Sequence, residues 1–301
     1  MTERRFTTLA DGGTFFEGPR WHGGRWWVSD FYRRLVLTVA PDGTQEEVTT
    51  VENQPSGLGW LPDGSLVVVS MKDHRLLRVA ADGTTSVHAD LSGIGLSGPL
   101  NDLVVSGTGH AYVGCFGFDL MSGAEAVGAP LFHVAPDGSF DLIADDLHFP
   151  NGSVITPDGR TLIVGETLGA RYTAFTIGDD GHVSDRRVFA QMAPTPPLGD
   201  TGTVLAALTV APDGCTLDAE GHIWFADAMG NRVARVAPGG EIVDEIPGPD
   251  GLGVYACMLG GDDGRTLLAC CAPDFFEHTR SVAREAVLAT VTVEIPHAGL
   301  P

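Results

Sequence analysis

The amino-acid sequence predicts an all-β protein, a six-bladed β-propeller of four-stranded antiparallel blades, with residues 1–301 forming a single domain. Three observations carry this expectation. Ten Asp-Gly pairs, six of them Pro-Asp-Gly, lie mostly between short apolar runs, as hairpin turns do. Six segments superpose as a short strand, a turn and a stronger apolar strand. In five of the six a glycine falls eight residues after the first residue (Gly64, Gly109, Gly159, Gly221 and Gly264), and in the first segment Gly24 comes one place early. Self-similarity at a fixed period is the mark of a repeat architecture.

In chain order the segments are EGPRWHGGRWWVSD from Glu17, SGLGWLPDGSLVVVS from Ser56, NDLVVSGTGHAYVGC from Asn101, NGSVITPDGRTLIVGE from Asn151, DGCTLDAEGHIWFAD from Asp213 and ACMLGGDDGRTLLACC from Ala256. Their starts are 39, 45, 50, 62 and 43 residues apart, near the ~40–50 of propeller repeats. Several continue into a third strand with its own turn, as in LVLTVAPDGT (35–44), LLRVAADGT (76–84), LFHVAPDGS (131–139) and RVARVAPGG (232–240). Each unit is therefore a meander of about four strands, and six of them close a ring without long exposed edges. The longest interval holds AQMAPTPPLGDTGTVLAALTVAP (190–212), whose prolines exclude a central strand, so it reads as a surface loop or lid beside the fifth unit. EHTRSVAREAVLA (277–289) is the best helix candidate, but VLATVTVEI (287–295) alternates as a last strand would, and residues 5–9 are expected to pair with it and close the ring.

Composition narrows the function. Lys and Arg total 18 against 39 Asp and Glu, a formal charge of −21, which argues against nucleic-acid or anionic-membrane partners. No stretch has the length of a membrane span or the apolar run of a leader, so a soluble, cytoplasmic protein is expected. The five cysteines lack C-x-x-C spacing and read as small buried hydrophobes. Lys72, the single lysine, sits beside Asp73 in what reads as an exposed turn, and the ten histidines are scattered without ligand spacing. There is no G-x-S-x-G or H-E-x-x-H, and GIGLSG (93–98) is followed by Pro99 with no βαβ context, which sets aside serine-hydrolase, zincin and dinucleotide chemistry.

Equivalent positions of propeller blades converge around the axis. The first column of the repeat reads Glu17, Ser56, Asn101, Asn151, Asp213 and Ala256. Carboxylate and amide oxygens without Cys or His suit a hard divalent cation such as Ca²⁺, Mg²⁺ or Mn²⁺. Asn-Gly and Asp-Gly are also ordinary turn pairs. Asp213 stands apart because its unit turns later, at 218–221, which leaves Asp213 at a strand start and Asp218 near the turn.

With FFEGPRW (15–21), NDLVV (101–105), FPNGSVITPDG (149–159) and PDGCTLDAEGHIWFAD (212–227) in hand, nearly the whole chain resembles the senescence marker protein / gluconolactonase / luciferin-regenerating-enzyme family, which includes regucalcin. That resemblance implies a six-bladed propeller binding one divalent cation through Glu17, Asn151 and Asp213, with Ca²⁺ first and Mn²⁺, Mg²⁺, Zn²⁺ or Fe²⁺ as alternatives. It implies that Asn101 contacts substrate or a bound water, and that the reaction is hydrolysis of a sugar or related lactone. Sugar-lactone members often carry an Arg two residues before that Asn, where this chain has Pro99, and the following loop, GCFGFDLMSGAEAVGAPL (114–131), is apolar.

The expected mechanism is Lewis-acid activation of the lactone carbonyl with attack by water. Asp213 is the preferred general base, and Asn101 is counted with it as catalytic. His148 is an alternative proton acceptor and a candidate substrate-binding residue. Asp30, Glu166 and Asp227 end the second strands of their units, where they either orient the cation's ligands or lie at surface loop ends. A non-catalytic calcium-binding propeller is the rival reading, and phosphotriester hydrolysis or a lyase or isomerase step on the same platform is another.

Overall fold

In a computed structural model that describes residues 4–299, the chain forms six four-stranded antiparallel sheets arranged as the blades of a propeller, five of them meanders in sequence order and the sixth completed by the N-terminal strand. The first strands of the blades are Phe16–His22, Pro55–Trp60, Leu100–Val105, Pro150–Ile155, Pro212–Leu217 and Gly253–Gly260. Each packs against the first strand of the next blade, and the last packs against the first, so these six line the axis. Their buried apolar residues face neighbouring blades, and aromatic side chains such as Trp26, Tyr112, Tyr172 and Trp224 fill the wedges between sheets. The periodic glycines sit where the repeat placed them. Gly24, Gly64, Gly109, Gly159, Gly221 and Gly264 all adopt positive φ, between 69° and 87°, in the turn joining the first two strands.

The ring closes with the N-terminal strand. Thr7–Gly13 is the outermost strand of the sixth blade and pairs antiparallel with Ala286–Thr292 in the register Thr7 to Thr290 and Gly13 to Ala286. The expected partner segment was right in kind, but pairing runs further along the N-terminal chain than residues 5–9. The helix expected over 277–289 is one turn, Glu277–Arg280, and the rest yields to the β-branched alternation of the closing strand. A helix that periodicity missed lies in the 190–212 tract: Thr201–Ala207, whose first turn is capped by Asp200 accepting from Thr203 N at 2.9 Å. No described helix is long and apolar enough to cross a membrane.

All five cysteines are free and buried. Burial pushes the Cys115 thiol up to about 11 and that of Cys215 up to about 12, so both act as hydrophobes and not nucleophiles.

Removing residues 1–13 takes away the fourth strand of one blade and its ladder of hydrogen bonds. The truncated protein should lose on the order of 5 kcal/mol of stability, counting ~1 kcal/mol per ladder bond. Urea denaturation of full-length and truncated chains measures this, and equal midpoints would show that the N-terminal strand does not close the ring.

Candidate functional site

Each of the first five axial strands carries a register shift near its start, which turns the second residue of the strand toward one end of the axis. A cavity of about 550 Å³ opens there, and Glu17, Asn101, Asn151 and Asp213 all line it. Two members of the sequence column do not. Ser56 is buried, its carbonyl accepting from Ser29 Oγ, and Ala256 packs in the core. In the sixth blade the shift falls between Val254 and Ala256, so Tyr255 lines the cavity instead.

The glycine after each ligand position has a structural cause unrelated to turns. A Cβ on Gly152 would lie 2.4 Å from the carbonyl oxygen of Asp213, and one on Gly214 would lie 2.5 Å from Cβ of Ala256. Asn-Gly and Asp-Gly occur here because adjacent axial strands approach too closely for a side chain between them.

The donor atoms are aimed by what the rest of each side chain does. Asn101 Nδ2 donates to Pro150 O (3.2 Å) and Asn151 Nδ2 to Thr167 Oγ1 (3.2 Å), which leaves both amide oxygens as the free ends of the groups. Thr167 in turn donates to Pro212 O at 2.7 Å, joining the fourth blade to the start of the Asp213 strand. Burial, followed by the charge of Asp213, raises the Glu17 carboxyl well above the ordinary range, against the smaller effect of a hydrogen bond from Gly18 N. Asp213 is raised likewise by burial and then by Asp102, with hydrogen bonds from the Asn151 side chain and Gly214 N opposing.

Sequence reasoning missed Asp102 and Arg20. Both are buried beside the axis, where Arg20 Nη2 lies 3.2 Å from Asp102 Oδ1 and donates to Leu103 O at 2.6 Å. When all three carboxylates are ionised, this one guanidinium leaves a surplus of two negative charges around the floor of the cavity. Two amide oxygens and two carboxylates with a surplus of two charges fit a divalent, oxygen-preferring cation, with Glu17, Asn151 and Asp213 as the residues to hold it. The only signals in the sequence were Arg and Asp within strands otherwise apolar.

Asp30, Glu166 and Asp227 are fully buried and not surface loop ends. Asp30 accepts from Thr14 N (3.1 Å) and Phe15 N (3.3 Å), Glu166 from His148 N (2.8 Å), and Asp227 from Ala211 N (3.0 Å). Each pins the backbone two or three residues before Glu17, Asn151 or Asp213. Burial would raise Glu166, but hydrogen bonds from Arg171, Thr173 and His148 N outweigh it and hold the carboxyl below its usual range. His148 does not line the cavity. Its backbone is tied to Glu166 and Leu168, and burial lowers the imidazole below its ordinary value. Asp218 lies in the turn at the far end of its strand, where it accepts from Arg235 Nε at 2.7 Å.

The walls are largely apolar, with Gln54, His74, Ser97, Asp119 and Ser122 as polar exceptions. Phe15, Phe31, Phe116, Phe118, Phe149 and Tyr255 surround the floor, and Pro99 lines the wall. Leu205 and Leu208, from the missed helix and the residue after it, roof the cavity. Leu208 packs with Val204 on Phe118, Phe149 and Leu168. Lys72, half exposed, pairs at the rim with Glu277 (Nζ to Oε1, 2.8 Å).

The sequence model of the family described as "SMP-30/Gluconolactonase/LRE-like region" matches residues 15–272. A pentonolactonase of Haloferax volcanii is 26% identical over 262 residues, 82% of each chain. A gluconolactonase of Zymomonas mobilis is 28% identical over 266 residues, 84% of this chain and 70% of that one. Among solved structures, a calcium-binding regucalcin of Agrobacterium tumefaciens superposes with a TM-score of 0.79 at 20% identity, covering 100% of this chain and 96% of that one.

Because both cavity carboxyls bind protons more tightly in the folded protein than in an unfolded chain, the metal-free fold loses stability as pH rises above the ordinary carboxylate range toward their raised values. Glu17→Gln or Asp213→Asn should therefore raise the melting temperature of chelator-treated protein at pH 7, by about 2 °C per kcal/mol of repulsion relieved. The gain should vanish near pH 3. Calorimetric melts of both variants test this, and a neutral-pH loss of stability in both would overturn it.

Proposed function

This chain belongs to the SMP-30/gluconolactonase/LRE-like family, and on that premise we propose that it is a divalent-cation-dependent lactonase acting on apolar lactones. The observation that carries the reading is the meeting of Glu17, Asp213, Asn101 and Asn151 on the floor of an aromatic cavity. Lactonases among the relatives support the reaction class.

A cation held by Glu17, Asn151 and Asp213 supplies Lewis-acid polarisation of the lactone carbonyl. The Asn101 side-chain oxygen, oriented because Nδ2 of the same amide donates a hydrogen bond to Pro150 O, accepts a hydrogen bond from the attacking water and points that water at the carbonyl carbon. Asp213 takes the water's proton as the new C–O bond forms. It returns the proton to the ring oxygen as the acyl C–O bond breaks, giving a hydroxy acid with no net proton consumed before the product ionises. Aromatic walls and the Leu205–Leu208 roof exclude bulk water and strengthen these polar interactions. Lys72 at the rim, released from Glu277, can meet the carboxylate of the departing product.

The lining sets the substrate. Against the phenylalanine, leucine and proline faces of the lining, a sugar hydroxyl would give up water without gaining a partner, whereas an alkyl or aryl substituent gains from the same transfer. Pro99 offers no donor where sugar-lactone members carry an arginine.

Hydrolysis should stop in chelator and return with Ca²⁺ or Mn²⁺, and Asp213→Asn should lower kcat by about 10²–10⁴-fold. His148→Gln should stay within a few-fold of the parent. In a panel read by pH-indicator assay, kcat/KM for alkyl- or aryl-substituted γ- and δ-lactones should exceed that for gluconolactone by about tenfold or more. Full activity in chelator would remove the cation from the mechanism, and a preference for gluconolactone would remove the apolar specificity.

A further inference from the structure

The histidines that the sequence leaves scattered converge in space, away from the cavity. We propose that the outer part of the third and fourth blades carries a second metal site, in which His133, Asp141 and His182 bind a borderline divalent ion of the zinc class and tie the two blades together.

His133 lies on the third strand of its blade, Ala129–Val134, and Asp141 on the fourth, Phe140–Leu147, as direct cross-strand partners. His182 comes from the neighbouring blade, from the turn between Arg171–Ile177 and Val183–Gln191. That turn is docked against the third blade: Tyr112 Oη donates to Gly181 O at 2.8 Å, and a Cβ on Gly181 would lie 2.2 Å from His110 Nδ1. The position of His182 is thereby set by contacts other than its own ring.

The three ligand atoms lie within 4.8 Å of one another. Asp141 Oδ2 is 3.3 Å from His182 Nε2 and 3.9 Å from His133 Nδ1. Bonds of ~2.0–2.2 Å to a tetrahedral ion place ligands about 3.4 Å apart. The closing movement falls to His182 and Asp141, whose side chains are exposed, while His133 is held in the interior.

His133 supplies the second, independent observation. It is 2% exposed, and its Nδ1 is buried with no hydrogen-bond partner although it points toward Asp141. Its other nitrogen, Nε2, is 2.8 Å from His110 Nδ1. With the proton on Nε2 donated to His110, Nδ1 presents a lone pair toward a carboxylate, an arrangement that is repulsive without a cation and favourable with one. The remaining nitrogen of His182, Nδ1, lies 3.4 Å from Asp180 Oδ2 and leaves Nε2 facing Asp141. Both ligand imidazoles thus have their second nitrogen held by a neighbour, as metal-binding histidines do. Two nitrogens and one oxygen select zinc over calcium or magnesium, and water completes the coordination.

The test is zinc titration of the Glu17→Gln/Asp213→Asn protein, which lacks both cavity carboxylates. One zinc per chain is expected by calorimetry, with excess calcium failing to compete, and cobalt in its place should give visible absorption of a tetrahedral ion. Adding His182→Ala or Asp141→Asn should weaken zinc binding on the order of 100-fold and abolish a zinc-induced rise in melting temperature. Both positions are exposed, so these variants should fold, and circular dichroism checks that. In the otherwise native chain, His182→Ala should leave lactone hydrolysis unchanged, which separates this site from the cavity. No stoichiometric zinc binding, or equal affinity in the parent and both variants, would overturn the proposal.

Discussion

Like charges held close together out of water are the constraint on which the centre of this propeller depends. Glu17, Asp102 and Asp213 share an axis with one guanidinium, that of Arg20. In bulk solvent such carboxylates would separate. Here the axial strands pack closely, because glycines such as Gly152 and Gly214 let neighbouring backbones touch, and the hydrogen-bonded blades of the closed ring hold them there. The scaffold holds the repulsion in place through buried acids that act on backbone and not on a ligand. Asp30, Glu166 and Asp227 each accept from main-chain N–H groups just before Glu17, Asn151 or Asp213. The arrangement is therefore fixed by the scaffold, and on the proposed reading a cation would bind with little rearrangement.

Much of this was legible in the residues. Turn glycines gave the register of the six units because each must reach positive φ, and that demand leaves a periodic mark. The same register brought Glu17, Asn101, Asn151 and Asp213 into one column, and the structure puts all four on one cavity. It failed where local backbone geometry shifts by a residue: Tyr255 and not Ala256 lines the cavity in the sixth blade. It failed also where tertiary packing decides the element. The prolines of 190–212 dominated the reading, and a seven-residue helix capped by Asp200 escaped because its apolar face needs Phe118, Phe149 and Leu168 to bury it.

Partnerships across blades were invisible for a different reason. Arg20 meets Asp102 over 82 positions of chain, and His182 approaches Asp141 from another blade. Neither pair has a spacing that a motif could hold. The acidity of the chain divides in the same way. Most acids are solvated, while a few are placed inward with particular tasks. Phenylalanines, leucines and Pro99 make much of the lining apolar, with Gln54, His74, Ser97, Asp119 and the Lys72–Glu277 pair as polar positions on the wall.

Calcium titration by calorimetry, in buffers of different ionisation enthalpy, reads the axial charge most directly, because calcium suits the cavity oxygens and not the peripheral histidines. With Glu17 and Asp213 both raised, one calcium per chain should bind with net release of protons, and the release should shrink as pH increases. Calcium uptake without proton release, or no uptake at all, would refute a cavity whose buried carboxylates await a cation.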